Sequence, residues 1–347
     1  MSVFYRLPLL LVGLLLSTAA AAQAVQGQGA TFPSKVYDAW ARAYAKAGGA
    51  AVAYKGTGSG DGVKQIGARQ VDFGGTDTPL PAAELARQKL VQIPMLVGGI
   101  VPVVNLPGVA APLQLDGELL AEIFLGRVKV WNDARIAALN PGVGLPVLPI
   151  RRLVRAEKSG TTEGFTRYLA GASPRFKAEV GAGQAPNWPA GPMKAEGNDG
   201  MVQALRSTPG SIAYVSFDRV LHDKLAAVRL RNAAGRFVTP AESGFRAAIL
   251  DSQMHRQGDD LATLLDRPGN DAWPITQTSF VLIDAEPATA AKAQGALRFL
   301  YWCFMHGDEL TRGTGFAPLP VSVQSRLAVR FTQVRSKDGQ LPAYQGF

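Results

Sequence analysis

The sequence predicts an α/β protein in which helices cover mostly parallel sheets. Two observations carry that reading. Helix-period stretches alternate with short apolar runs of strand length along most of the chain. The composition, 47% hydrophobic with 18% charged residues, is that of a chain that buries a core rather than a disordered basic tail. Strands separated by helices are the pattern of βαβ units.

Taken in order, the first 22 residues read as a secretory signal peptide: Arg6 precedes an apolar core over 7–16, and Ala20-Ala21-Ala22 stands before Gln23. The apolar part is too short to span a bilayer as a helix. The remaining length, about 325 residues, suffices for two domains. A helix over 34–46 precedes a strand over 51–54; a helix over 63–68 precedes a strand over 71–74; and a helix over 81–89 precedes strands over 91–94 and 98–105. Further on, 116–124, 133–139, 163–170 and 199–205 read as helices, and 212–215 and 228–230 as strands. The stretch 235–277 has little pattern beyond a helix over 241–249. A strand over 279–283, a long amphipathic helix over 288–305 and an apolar segment over 321–331 complete the chain.

The formal charge is +9, or +8 once Arg6 leaves with the signal peptide. This basicity suits an anionic ligand. No Lys/Arg block with interleaved aromatics appears, and the densest basic cluster is Arg151-Arg152 with Arg155, so nucleic acid is not an expected partner. Cys303 is the sole cysteine and lies in an apolar helical stretch, which excludes an internal disulfide and reads as a buried small hydrophobe. The three histidines, His222, His255 and His306, fall in no metal-ligand spacing, so neither metal nor cofactor is expected.

The chemistry concentrates at Arg155-Ala156-Glu157-Lys158-Ser159-Gly160-Thr161, just ahead of a helix-like run. A guanidinium, two hydroxyls and free backbone N–H groups at a helix start make an anion site. Read alone, the same residues also fit an N-cap beside a surface arginine. Two earlier stretches have the same character. Gly56-Thr57-Gly58-Ser59-Gly60-Asp61-Gly62 is a glycine-rich turn opening onto a helix, in a spacing that matches neither the dinucleotide fingerprint nor the P-loop. Gly29-Ala30-Thr31-Phe32-Pro33 sets a hydroxyl and a first-turn proline before the helix over 34–46. Three helix starts are thereby available to one anion.

These stretches, with Val71-Asp72-Phe73-Gly74 running on to Asp77 and Leu80, resemble the periplasmic phosphate-binding protein of phosphate-specific ABC transporters. The resemblance continues through Leu125 to Asp133, Gly197-Asn198-Asp199-Gly200, Pro209 to Val215 and Asp271 to Thr276, which is nearly the whole chain after the signal peptide. It implies a two-lobed type II periplasmic binding fold, each lobe a mostly parallel sheet flanked by helices, with two crossover segments and a hinged cleft. The implied lobes are 23–100 with 281–347, and 101–280. It implies that Thr31, Phe32, Ser59, Asp77, Arg155, Ser159, Gly160 and Thr161 bind inorganic phosphate, Phe32 and Gly160 through backbone N–H, with Glu157 holding Arg155 in plane. The implied partners are phosphate and the permease subunits of an inner-membrane ABC transporter. The implied location is the periplasm, since no cysteine follows the apolar run to take a lipid anchor.

Asp77 is the residue expected to give specificity. An ionised carboxylate only accepts hydrogen bonds, so it meets the proton of HPO4²⁻ or H2PO4⁻ and repels fully deprotonated sulfate. Gly60, Asp61 and the Glu157-Lys158 pair depart from the family's common pattern, and Asp61 is a negative charge expected at the cleft mouth. Three other readings stay open: a binding protein for sulfate or molybdate, a periplasmic phosphatase using Ser59 or Ser159, and a secreted phosphate binder with a scavenging or adhesive role and no transporter. Against the phosphatase, no histidine lies in a motif near either serine.

Overall fold

A computed structural model describes residues 24–189 and 191–345; the expected signal peptide lies outside the described residues. The chain opens with β1 (Val25–Gly29), α1 (Ser34–Lys46), β2 (Val52–Gly56), α2 (Ser59–Gly67), β3 (Phe73–Thr76) and α3 (Ala82–Gln88). On α1 the apolar residues Val36, Tyr37, Trp40, Ala41 and Tyr44 recur at helix spacing and are buried, which fixes the face that packs on the sheet. β1 pairs in parallel with β2 on one side and β3 on the other, as the strand–helix alternation predicts.

Next comes β4 (Leu90–Asn105), then β5 (Gln114–Leu115), α4 (Gly117–Phe124), α5 (Ala134–Leu139), β6 (Arg151–Arg155), α6 (Gly160–Ala172), α7 (Pro174–Glu179), β7 (Met193–Ala195), α8 (Gly197–Ser207), β8 (Ser211–Ser216) and α9 (Phe217–Asp223). β9 (Ala226–Ala227), β10 (Arg229–Arg231), β11 (Phe237–Val238), α10 (Glu242–Leu250) and α11 (Gln253–Arg256) follow. The chain then forms β12 (Thr276–Asp284), α12 (Ala290–Thr311), β13 (Phe316–Pro318), α13 (Val321–Leu327) and a 3-10 helix, Ala328–Gln333. Cys303 is buried in α12, and burial pushes its thiol pKa up, as suits a small core residue.

The main sheet runs β2-β1-β3-β12-β4-β8-β6-β7, with β13 and β9 also pairing to β4. Its outer strands are parallel, and each antiparallel pair in it involves β4 or β12. These two strands enter from outside the βαβ units, so they are free to run against their neighbours. The pattern predicts two strands, over 91–94 and 98–105; the structure makes them one strand, β4, of 16 residues. The missing proline N–H is accommodated because Ser279 pairs with Leu96 and Phe280 with Pro94, leaving Met95 as the extra residue of a bulge.

β4 is what makes two lobes of one sheet. Residues 90–99 pair with β12, and residues 100–105 pair with β8. At the changeover, a Cβ on Gly98 would lie 2.6 Å from the Phe316 ring and 2.8 Å from that of Phe32, and one on Gly99 would lie 2.2 Å from Phe245. Glycine there lets the strand pass beneath rings from β13, from the loop before α1 and from α10. One apolar cluster accordingly extends from Tyr37 and Phe73 through β4 to Phe165 and Tyr214.

Candidate anion-binding site

Three helix N-termini, those of α1, α2 and α6, meet at the interface between the lobes. Each presents N–H groups that the helix itself cannot satisfy. α2 begins at Ser59, four residues earlier than the periodicity predicts, because Gly60 and Gly62 are inside the helix. A Cβ at Gly62 would sit 2.3 Å from the Gly75 carbonyl oxygen and 2.7 Å from Gly29 Cα, so glycine is what lets α2 lie directly on β1 and β3. On α6, Ser159 is the N-cap, its hydroxyl accepting from Thr162 N–H at 3.2 Å. Capping uses the oxygen's lone pair and leaves the hydroxyl hydrogen available to a ligand.

Arg155 is the last residue of β6, and its side chain is 1% exposed. Its Nη2 donates to Thr31 Oγ1 at 2.8 Å and to Glu157 Oε1. Glu157 also accepts from Gly197 N–H at 3.2 Å, which fixes the carboxylate that steadies the guanidinium. Arg155 Nε and Nη1 are buried and have no hydrogen-bond partner among the described residues, and the same holds for Thr161 Oγ1. Unpaired buried donors of this kind are costly unless a ligand meets them.

Thr31 also accepts from Asn198 Nδ2 at 3.1 Å. With its oxygen accepting from both Arg155 and Asn198, Thr31 keeps only its own hydrogen to give. Asn198 in turn accepts from Ser216 N–H at 3.1 Å. The Gly-Asn-Asp-Gly stretch by itself gives Asn198 no task; its position at the start of α8 is the signal that points to one. Phe32 is fully buried, its ring edge-on to Phe316 at 5.1 Å, which anchors the backbone between β1 and α1.

Ser59 Oγ accepts from Asp77 N–H at 3.1 Å and, across the cleft, from Gly160 N–H at 3.2 Å. It lies 3.5 Å from Asp77 Oδ2, while Asp77 Oδ1 accepts from Ser279 Oγ at 2.8 Å. Burial raises the Asp77 pKa to about 7, against the Ser279 hydrogen bond, the Arg155 charge and the Ser59 hydroxyl, which all pull it down. Asp77 is therefore poised near neutrality.

The structure brings together Thr31, Phe32, Ser59, Asp77, Arg155, Glu157, Ser159, Gly160 and Thr161 at this one interface. Asp61 differs from its expected place as a bare charge at the mouth. It accepts from Gln28 Nε2 at 2.5 Å, Thr57 Oγ1 at 2.6 Å and Gln65 Nε2 at 3.1 Å, so it braces the glycine-rich turn. Burial works against its charge, but these donors outweigh it and hold the pKa below the usual value. Gly60 meets Lys158 from the other lobe: its N–H donates to the Lys158 carbonyl at 3.3 Å, and a Cβ would lie 2.7 Å from Lys158 Cβ. A serine there would collide with the lysine, so the two departures from the family pattern fit each other. Thr78 Oγ1 adds a cross-cleft bond to Glu163 Oε2 at 2.8 Å. No group of three or more His, Cys, Asp or Glu side chains among the described residues is arranged to hold a metal ion.

Two lobes sharing one strand, with helix starts converging on a buried arginine between them, define a solute-binding protein. A domain model of the PBP superfamily matches residues 16–305. The phosphate-binding protein PstS of Pasteurella multocida is 38% identical over 336 residues, covering 95% of this chain and 97% of that one. The phosphate-binding protein PstS of Haemophilus influenzae is 39% identical over 309 residues, covering 89% and 92% respectively. The chain belongs to the PBP superfamily and, within it, to the family of the phosphate-binding protein PstS. Among solved structures, a high affinity periplasmic phosphate-binding protein (PfluDING) bound with phosphate superposes with a TM-score of 0.69 at 24% identity, over 88% of this chain and 93% of that one, a likeness of fold.

Proposed function

We propose that this protein binds inorganic phosphate outside the cytoplasm and delivers it to the permease of an ABC transporter. The observation that carries the reading is the buried Arg155 fork, with Nε and Nη1 lacking protein partners, set among three helix starts and opposite Asp77. Arg155 meets two phosphate oxygens at once, a geometry that suits its planar donors. Thr31, Ser59, Ser159 and Thr161 give hydroxyl donors, and Phe32 and Gly160 give backbone N–H groups. Glu157 holds the arginine in place. The relatives named PstS support phosphate as the ligand.

In this reading, residues 23–100 and 281–347 form one lobe and 101–280 the other, and ligand contacts from both favour closure of the cleft. The protein works in the periplasm after the signal peptide is removed, without inserting in the membrane; among the described residues no helix is long and apolar enough to cross one. It binds without turning its ligand over: the partners of Ser59 Oγ are Asp77 and the Gly160 N–H, not a histidine that would activate it. A chromogenic phosphomonoester turned over faster than by a Ser59→Ala control would overturn that part.

Asp77 separates phosphate from sulfate by accepting the proton that only phosphate carries at neutral pH. Asp77→Asn keeps the shape and can present either N–H or C=O to the ligand, so the phosphate-to-sulfate affinity ratio is expected to fall well below that of the wild-type protein. Titration calorimetry with both anions at one pH and ionic strength checks this, and an unchanged ratio removes Asp77 from the specificity mechanism.

A further inference from the structure

The two oxygens of Asp77 have unequal surroundings. Oδ2 faces Ser59 of α2, whereas Oδ1 faces β12 and accepts from Ser279 Oγ at 2.8 Å. Ser279 is fully buried on β12, at the residue where the register with β4 shifts, and a bulge re-aims side chains next to it. The phenol of Tyr37 from α1, 1% exposed, is close enough to act on both Ser279 and Asp77, and its hydroxyl has no hydrogen-bond partner among the described residues. Burial and the Asp77 charge push the Tyr37 pKa far up, while the neighbouring Ser279 hydroxyl draws it down. Tyr37 therefore remains a protonated donor.

We propose that Ser279, backed by Tyr37, is a positioning residue that commits Asp77 Oδ1 to accepting and so confines any proton on this carboxyl to Oδ2, the oxygen facing Ser59. The proposal rests on the reading above, in which Asp77 selects phosphate by its proton. A serine hydroxyl has one hydrogen. Ser279 commits that hydrogen to Oδ1, which leaves only its oxygen toward the neighbouring phenol. An ionised Asp77 then meets the ligand through Oδ2, whose one protein donor is the long contact from Ser59 Oγ at 3.5 Å. The other groups that act on Asp77 are Arg155 from β6 and Ser59 from α2, both favouring the charged form; Tyr54 from β2 is a neutral phenol hydrogen-bonded to the Ala30 carbonyl, and Glu163 from α6 is engaged by Thr78.

Without Ser279 the charged form loses its strongest hydrogen bond, so Asp77 holds its proton to higher pH and becomes a donor that accepts sulfate. Phosphate and sulfate titrations of the wild-type protein, Ser279→Ala, Tyr37→Phe and Asp77→Asn from about pH 5.5 to about pH 9 test this, with circular dichroism to monitor folding. Ser279→Ala is expected to lose about tenfold in phosphate affinity at pH 7 and to regain it about one pH unit higher, with a smaller phosphate-to-sulfate ratio at pH 7. Tyr37→Phe moves the profile in the same direction by less. A loss of equal size at every pH, or an unmoved profile in Ser279→Ala, overturns the proposal; if that variant does not fold, an unmoved profile in Tyr37→Phe does so. Should Asp77→Asn alter the ratio while Ser279→Ala does not, the Ser279 assignment alone falls. Should Asp77→Asn leave the ratio unchanged, the reading beneath it falls as well.

Discussion

Arg155 donates from one corner of its guanidinium to Thr31 and Glu157 and leaves Nε and Nη1 unpartnered, so the charge is anchored before any ligand arrives. Two charge-assisted bonds at roughly 1.5–3 kcal/mol each lead us to expect that Arg155→Ala lowers phosphate affinity by about a hundredfold or more. Calorimetry showing less than about a tenfold loss would place Arg155 outside the site. Asp77 makes a second prediction, about stability. Its folded pKa, about 7, is above the ordinary 3.8, so the ligand-free protein is favoured below that lower value and loses this contribution as pH rises through 7. The loss amounts to up to about 4 kcal/mol. Asp77→Asn removes the titration, so ligand-free Asp77→Asn should melt higher than wild type near pH 8 and alike near pH 4; a melting difference that does not change with pH contradicts the assignment. At this scale the sequence showed the residues that sit beside their own helix starts, such as Ser159 and Thr161. It did not show Asn198 or Ser279, whose tasks depend on partners 167 and 202 positions away.

Elements are legible where one face of a short segment carries the signal. α1 matches its expected bounds because its apolar stripe is regular and Pro33 stands before it. The start of α2 was hidden because glycine lowers helix propensity, yet here glycine is what the packing demands. β1 and β6 were not anticipated as strands, the first being rich in Gly and Gln and the second in Arg. In β6 the sheet pairing and the buried partners of Arg152 and Arg155 override the polar composition. Two glycine substitutions separate packing inside a lobe from packing across the cleft. A methyl at Gly160 would meet Ser59 Oγ at 2.5 Å and Asp77 Cβ at 2.8 Å, both on the opposite lobe. Gly160→Ala should therefore weaken phosphate binding by at least about tenfold while leaving ligand-free thermal stability near that of wild type. Gly62→Ala presses on Gly75 and Gly29 within its own lobe and should cost about 1–3 kcal/mol of folding stability. Thermal melts with and without phosphate check both; a large ligand-free destabilisation in Gly160→Ala would contradict the division.

Across the whole molecule, the two-lobed form follows from β4 changing partners at residues 99 and 100 and from β12 returning beside it. The apolar runs that build both strands were visible in the sequence. Their pairing was not, because periodicity carries no information on which distant strand lies alongside. The bonds around the candidate site that cross the cleft are polar and include those of Arg155 and Asn198 to Thr31, Gly160 to Ser59, Gly60 to Lys158 and Thr78 to Glu163. Such bonds contribute modestly each, which is what a cleft that must open again requires. Of these, the Thr78 bond is made by neither a proposed ligand donor nor Asp77 itself, so it tests closure apart from ligand contact. Thr78→Val preserves shape and removes the hydroxyl that donates to Glu163. The encounter of phosphate with the open cleft does not use that bond, so the association rate should stay within about twofold of wild type. Release requires the lobes to part, so the dissociation rate should rise by about three- to tenfold. Stopped-flow measurement of both rates distinguishes the cases: if the variant slows association and leaves dissociation unchanged, the Thr78–Glu163 bond forms before the ligand enters and does not latch the closed state.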